Sequence, residues 1–141
     1  MSLDSIIAGV VAVQRTIPGI AFAYENAPEA INEALPAFIT SPSEGSVEWP
    51  RKPSIRTITH DIIMDLFVNR GGDLAAADKV LKPFVALVIQ TFDQNITVNG
   101  TCFNSGGITY KFGKLEYAGV EYLGIKFTLK VVEKTQVMYK E

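Results

Sequence analysis

The sequence is poor in the residues that carry most protein chemistry. It has one cysteine, Cys102, one histidine, His60, and one tryptophan, Trp49, among 141 residues. A lone cysteine allows no internal disulfide, and one histidine with one cysteine provides no ligand cluster for a metal. We therefore expect no metal, no cofactor and no dependence on an oxidising compartment.

Charge of one sign and long apolar runs are also scarce. Charged residues make up 20% of the chain, the formal net charge is −2 and the pI is about 5.4. Because nucleic-acid-binding domains usually show a basic face or a pI above about 9, we expect no sequence-specific nucleic-acid binding. The apolar run at residues 6–13 has no Lys or Arg before it, and nothing reaches the roughly 20 apolar residues that cross a bilayer. We expect a soluble protein made in a cytoplasm, without membrane contact.

Catalytic arrangements fail on geometry as well as on composition. His60 and Asp61 are neighbours on a predicted strand, so their side chains point to opposite faces and Asp61 cannot orient His60 as in a triad. Residues 71–73 lack the Lys and Ser/Thr of a phosphate-binding loop. His60 falls in the apolar phase of its strand, which predicts a core or strand-end imidazole with a hydrogen-bonded partner. We expect no enzyme and assign no catalytic residue.

Alternating apolar positions are the strongest feature that is present. The clearest run covers residues 120–132, where side chains at a period of two predict a strand with one dry face and one wet or partner-facing side. A second long strand is predicted at residues 57–68. The apolar phases of the two runs are Leu123, Ile125, Phe127, Leu129 and Val131 in the first, and Ile58, His60, Ile62, Met64, Leu66 and Val68 in the second.

Helical spacing occurs near the N-terminus and in the middle of the chain. Ser2 predicts the N-cap of a helix that runs to about Arg15. Residues 74–92 predict a buried helix with Asp73 as its cap and with Pro83 causing a kink or a division into two shorter helices. Pro28 at a first helical position predicts one helical turn within residues 26–35.

Turn residues divide the remaining chain. Short strands are predicted at residues 20–24 and 36–39. Residues 40–53, with three prolines, predict a loop or a loose hairpin arm. Asn99-Gly100 predicts a tight hairpin between residues 96–98 and 101–103, and Gly106-Gly107 predicts a further turn into a strand at 108–112.

The elements together predict an α+β fold in one domain spanning residues 1–141. We expect a mixed, mainly antiparallel β-sheet packed against an N-terminal helix and one long kinked central helix, with a Pro-rich hairpin arm at about residues 40–53.

Several segments in this element order carry a family resemblance. They are LEYAGVEYLGI at residues 115–125, PAF at 36–38, GSVEW at 45–49 and the segment 95–100. Through them the chain resembles the small tail-completion proteins of long-tailed bacteriophages and prophages, which are tail terminators and related minor tail or neck components. The similarity spans residues 17–133.

The resemblance implies a subunit that assembles into a ring, typically of six copies. Such a ring caps the tail tube and joins it to the head-tail connector, and DNA can pass through it. The implied partners are further copies of the chain, the tube protein and connector proteins, and the implied location is the virion, with assembly in the host cytoplasm. The resemblance implies no active site, and it leaves terminator, neck and other minor tail roles open.

Two groups of residues are candidates for subunit or partner contacts. Ile63 and Phe67 lie in the polar phase of their strand, where a neighbouring subunit can cover them; the alternative is coverage by the chain's own helix or arm. Trp49 in the Pro-rich arm is a candidate interface anchor, or it packs back on its own subunit.

Three basic residues follow Trp49 closely. Arg51, Lys52 and Arg56 are candidates to line a ring lumen or to pair with acidic groups of an adjacent subunit; the alternative is a solvated stretch. A rival function of another class is a small cytoplasmic ligand-binding domain, with a cavity between the long helix and the sheet around Tyr110, Tyr117 and Tyr122.

Overall fold

The structure, a computed structural model, describes residues 2–31, 35–48, 55–70 and 74–136, with the side chains of 74–77 left aside. The elements in chain order are α1 (Leu3–Gln14), β1 (Phe22–Tyr24), β2 (Ala37–Val47), β3 (Ile55–Arg70), α2 (Leu74–Asp93), β4 (Asn104–Tyr117) and β5 (Val120–Gln136). The predicted α+β class is confirmed.

The strands form one five-stranded sheet in the order β1-β2-β3-β5-β4. β1 runs parallel to β2, and every other neighbouring pair is antiparallel. The two strongest sequence patterns are therefore central: β5 contains the run at 120–132, and it lies between β4 and β3, which contains the run at 57–68.

Both helices pack on the same side of the sheet, which we call the inner face. Phe38 of β2, Leu66 of β3 and Phe127 of β5 belong to this face and are fully buried in the main apolar cluster. The cluster includes Ile6 and Val10 of α1, together with buried side chains of α2. The apolar phase of each strand thus meets the helices, as the alternation predicts.

The N-terminal helix begins as predicted. The Ser2 hydroxyl accepts a hydrogen bond from the Ser5 amide, and the Ser5 hydroxyl accepts one from the Ser2 amide, forming a reciprocal capping box. Gly9 lies against the segment that follows α2, because a Cβ there would stand 2.7 Å from the Val98 carbonyl oxygen. α1 is therefore clamped between the sheet and that segment.

The central helix α2 is continuous through Pro83, so the predicted division into two shorter helices is wrong. Pro83 faces solvent, whereas Leu81, Phe84, Val88 and Phe92 keep helical spacing and are buried. The contacts of this buried stripe outweigh the hydrogen bond that proline removes. The predicted cap, Asp73, lies outside the described residues.

On the opposite side of the sheet, the outer face, the described residues cover only one end. The segment before β2 lies there, and the hydroxyls of Tyr117 and Tyr122 donate hydrogen bonds to the carbonyls of Pro28 and Ile31. The predicted helical turn at Pro28 is absent from residues 28–31, because tyrosine hydroxyls occupy these carbonyls in place of helical N–H groups. A second apolar cluster forms beneath the segment: Ile31, Ala37, Ile39, Phe67 and Tyr122.

The predicted hairpin at Asn99-Gly100 is wrong. Val98, Asn99 and Gly100 have φ of 49°, 56° and 76°, and the Thr101 amide donates to the Thr97 carbonyl at 3.0 Å. Three successive positive φ angles make a left-handed turn after α2, whereas a two-residue hairpin turn needs two followed by paired strands.

The two-residue turn occurs one connection later, at Ala118-Gly119. These residues have φ of 52° and 78° and join the paired residues Tyr117 and Val120. Gly106-Gly107, predicted as a turn, instead produces a register shift within β4, with φ of 73° at Gly107. A glycine with positive φ suits such a bulge.

The described part of the Pro-rich region, residues 40–48, pairs with β3 as one arm of a hairpin, which is one of the two predicted alternatives. Residues 40–47 continue β2 and pair with β3, with Val47 opposite Ile58 and a register shift after Pro42. The Glu48 amide donates to the Thr57 carbonyl at 2.9 Å. β2 and β3 therefore stay paired up to the last described residues of this connection.

Candidate assembly surface

The paired strands extend past the core. We call residues 41–48 and 55–61 the hairpin arm; none of these described residues belongs to either apolar cluster. Val47 is 60% exposed and Ile55 is 45% exposed. Because the side chains of a strand alternate, the register places Val47 on the inner side and Ile55 on the outer side. The arm thus presents an uncovered apolar side chain on each face.

Beyond the second cluster, nothing in the part of the chain that the structure describes covers the outer face. We call this region the open outer face, and the register arranges its side chains in rows across β3, β5 and β4. The rows are Asp65–Lys126–Lys111, Ile63–Thr128–Thr109 and Asp61–Lys130–Gly106.

Charge is separated across the open outer face. Acidic side chains lie on β3 and basic ones on β5 and β4, and Lys126 stands opposite Lys111. Like charges directly opposite each other destabilise a strand pair. The ion pairs found in the described ranges lie elsewhere, at Lys82–Asp78 and Lys114–Glu121, as does the hydrogen bond between His60 and Glu133. Lys126 thus stands between a carboxylate, Asp65 on β3, and a second cation, Lys111 on β4.

Asp65 lies at the border between the open outer face and the second cluster. Its Oδ1 is buried and has no hydrogen-bond partner among the described residues. Burial raises the pKa of Asp65, and the ammonium of Lys126 opposes that rise. The carboxyl group therefore occupies a partly dry position whose charge is costly to the isolated chain.

Ile63 and Phe67, the two outer-face candidates that the sequence predicts, differ in exposure in the structure. Phe67 is 1% exposed and packs edge-on against Tyr117 and Tyr122, at ring-centroid distances of 5.8 and 5.3 Å. The chain covers this residue itself, so Phe67 is unavailable for partner contacts. Ile63 remains half-buried between Ser41 and Thr128 on the open outer face.

The basic candidates of the arm are only partly placed. Arg56 is half-buried on β3 opposite Thr135, and its Nε is buried without a hydrogen-bond partner in the described ranges. Trp49, Arg51 and Lys52 lie outside the described residues.

The lone histidine has the partner that its apolar phase predicts. His60 Nε2 lies 3.0 Å from Glu133 Oε2, and Glu133 is 5% exposed. Gly45 stands opposite His60; a Cβ there would lie 3.6 Å from His60 Nδ1 and 3.2 Å from the Thr59 carbonyl oxygen. The pair joins β3 to β5 where the main cluster ends, so its role is structural.

The tyrosines of the rival prediction do not converge on a cavity. Tyr117 and Tyr122 lie on the outer face in hydrogen bonds, whereas Tyr110 is half-exposed on the inner side of β4. A cavity between α2 and the sheet has a volume of about 90 Å³ and is lined by Phe92 and Leu129 among others. Small-molecule sites are usually about 300–1,000 Å³.

A larger groove lies beside α1. Its volume is about 440 Å³, and its walls come from α1, the residues after β1 and the first part of β2. They are Leu3, Asp4, Ile7, Glu25, Asn26, Ala27, Thr40, Ser41 and Pro42.

Sequence reasoning predicted the arm, Ile63 and a wet or partner-facing side of β5, but it missed the rows of charge across the open outer face and this groove. The lysine phase of β5 was a signal for the first, since it repeats at Lys126, Lys130 and Lys134. The groove left no signal, because it joins three segments that are distant in sequence.

The described ranges hold no group of three or more His, Cys, Asp or Glu side chains arranged for a metal ion. None of the helices in these ranges is long and apolar enough to span a membrane. No protein-family model matches the chain, and a search of curated proteins gave no significant match.

Proposed function

We propose that this protein is a ring-forming structural subunit of a long-tailed phage, which terminates or completes the tail tube and joins it to the head-tail connector. The observation that supports this most is the hairpin arm. It extends a rigid sheet past the core and carries uncovered apolar side chains, Val47 and Ile55, on opposite faces. Apolar groups held out from a core in this way fit contacts with neighbouring subunits.

The difference between the two sides of the molecule is consistent with a cap that ends growth of the tail tube. Helices form one side, and a charged, open sheet face forms much of the other. In a ring of identically oriented copies these sides give two chemically different surfaces. One surface matches the tail tube and the other does not accept another tube layer, so elongation stops.

Deletion of the gene from the phage genome that carries it tests this function. Electron micrographs should show tails of irregular length or heads without tails, and a plasmid copy should restore normal particles. Val47→Asp should fail to restore them, because it buries a charge in the proposed contact. Ser46→Asp, which adds the same charge beside it without removing an apolar group, is the matched control. Normal tails and attached heads in the deletion strain would refute the proposal.

A further inference from the structure

The groove beside α1 is lined by both apolar and acidic side chains. Leu3 and Ile7 supply the apolar surface, and Asp4 and Glu25 supply the carboxylates. Both acidic residues are exposed. At about 440 Å³ the groove is large enough for a side chain such as tryptophan together with part of its backbone.

The chain itself contains a segment of complementary chemistry. Residues 49–54 read W-P-R-K-P-S, with one large aromatic residue followed by two cations. Trp49 could pack on the apolar surface of Leu3 and Ile7. Arg51 and Lys52 match the negative charges of Asp4 and Glu25. Proline on each side of the two cations restricts the unbound segment, which lowers the entropy lost on binding.

The segment cannot reach the groove of its own chain. Pro42 lines the groove, and residues 43–48 of the extended arm span roughly 20 Å. Residues 49–54 are anchored at Glu48 and Ile55, so none can stand more than about 10 Å from an anchor. Beyond the register shift after Pro42 the arm stays paired with β3, and β3 stays paired with β5, so the arm cannot fold back onto this groove. The occupant must therefore come from another copy.

We propose that the α1 groove binds residues 49–54 of a second copy of this chain. Each copy then donates one arm and accepts one arm, a head-to-tail contact that generates a closed ring when the rotation between copies closes. This inference rests on the proposed function for its ring but assigns the contact to particular residues.

Charge reversal tests the contact. Arg51→Glu with Lys52→Glu, and separately Asp4→Lys with Glu25→Lys, should each weaken self-association about tenfold or more, measured by sedimentation velocity over a concentration series. In an equimolar mixture of these two variants, the acidic arm of one meets the basic groove of the other and the basic arm meets the acidic groove, so alternating copies should recover association. The quadruple variant, which carries all four reversed charges in one chain, should recover it as well. Lys79→Glu with Lys82→Glu makes the same charge change on exposed α2 positions and should leave association unchanged.

A cross-link gives an independent measurement if a charge variant folds poorly, as judged by circular dichroism. In a Cys102→Ser background, Ala27→Cys and Lys52→Cys chains mixed under oxidising conditions should form a disulfide-linked dimer of the two different chains. Ser46→Cys in place of Lys52→Cys is the control and should not. If both charge-reversal variants associate as strongly as the wild type and no cross-linked dimer forms, the inference is overturned. The proposed ring would then stand on other contacts. A wild-type chain that stays monomeric, with or without tail tube, overturns the ring as well.

Discussion

The inner and outer faces of the sheet differ in what covers them. On the inner face, Phe38, Leu66 and Phe127 are fully buried beneath two helices. On the outer face, a loop held by Tyr117 and Tyr122 covers one end, and the rest carries opposed charges. One side of each strand is thus used by the fold, and part of the other side stays uncovered within the described residues.

The comparison also distinguishes kinds of burial. Apolar contacts on the inner face are numerous and redundant around each side chain, whereas the covered end of the outer face depends on a thin layer over Phe67. Changes on the inner face should therefore cost the most stability, changes at the covered end less, and changes on the open outer face almost none.

Phe127→Ala should have the largest effect. Phe127 is fully buried on the inner face and its ring lies 6.4 Å from that of Phe38. Loss of its contacts should lower the free energy of unfolding by about 3–5 kcal/mol, measured by urea denaturation followed by circular dichroism. Thr128→Ala, one residue away on the open outer face, should change it by less than about 0.5 kcal/mol. Equal losses for the two variants would remove the distinction between the faces.

Gly124→Ala should have the next largest effect on the free energy of unfolding. A Cβ at Gly124 would lie 2.0 Å from the Leu66 carbonyl oxygen and 3.1 Å from Leu115 Cδ1, so the strands must move apart. We expect a loss of about 1–3 kcal/mol in the same denaturation measurement. Gly106→Ala is the matched control, because nothing lies within 4 Å of its Cβ position. A neutral Gly124→Ala would mean that β3 and β5 are packed less closely than described.

Tyr117→Phe tests how the covered end of the outer face is held. The change removes only the hydroxyl that donates to the Pro28 carbonyl and keeps the ring against Phe67. The free energy of unfolding should fall by about 1 kcal/mol, and hydrogen exchange should accelerate in residues 25–31. Unaltered exchange there would show that the hydroxyl does not hold the loop.

Asp65→Asn should have the smallest effect and the opposite sign. The folded pKa of Asp65 is raised above its ordinary value of 3.8 by burial, so the folded state binds a proton more tightly than the unfolded state. The stabilisation by this proton is complete at a pH below the ordinary pKa. It is lost as the pH rises through the raised pKa of the folded state. Asp65→Asn should therefore be more stable than wild type at pH 7, by about 1 kcal/mol or less because the group is partly exposed.

The gain from Asp65→Asn should disappear near pH 3, which denaturation curves at several pH values would show. Lys126→Gln removes the cation that opposes the raised pKa, and it should steepen the wild-type pH dependence. A gain that did not vary with pH would show that ionisation of Asp65 is not its cause.

Periodicity predicted the parts of the fold that depend on one face of one element. The alternation in β3 and β5, the Ser2 cap and the spacing along α2 each express a local rule that the tertiary structure obeys. The burial of Phe67 could not be predicted from the alternation of its own strand, because its cover comes from Tyr117, Tyr122 and a loop that precedes β2.

Turn signals were less reliable for a physical reason. Asn99-Gly100 and Ala118-Gly119 both adopt positive φ, but only the second lies between segments that pair. Local sequence specifies the φ preference, whereas the sheet decides which turn becomes a hairpin. The α1 groove could not be predicted from the sequence either, since its walls meet only in the folded chain.

The mass of the purified wild-type chain tests the central claim most directly. Sedimentation equilibrium, alone and with tail tube protein, should show a closed oligomer of several copies, typically six by the family resemblance, whose mass stops rising with concentration. A chain that remains a monomer at high concentration under both conditions would contradict the account.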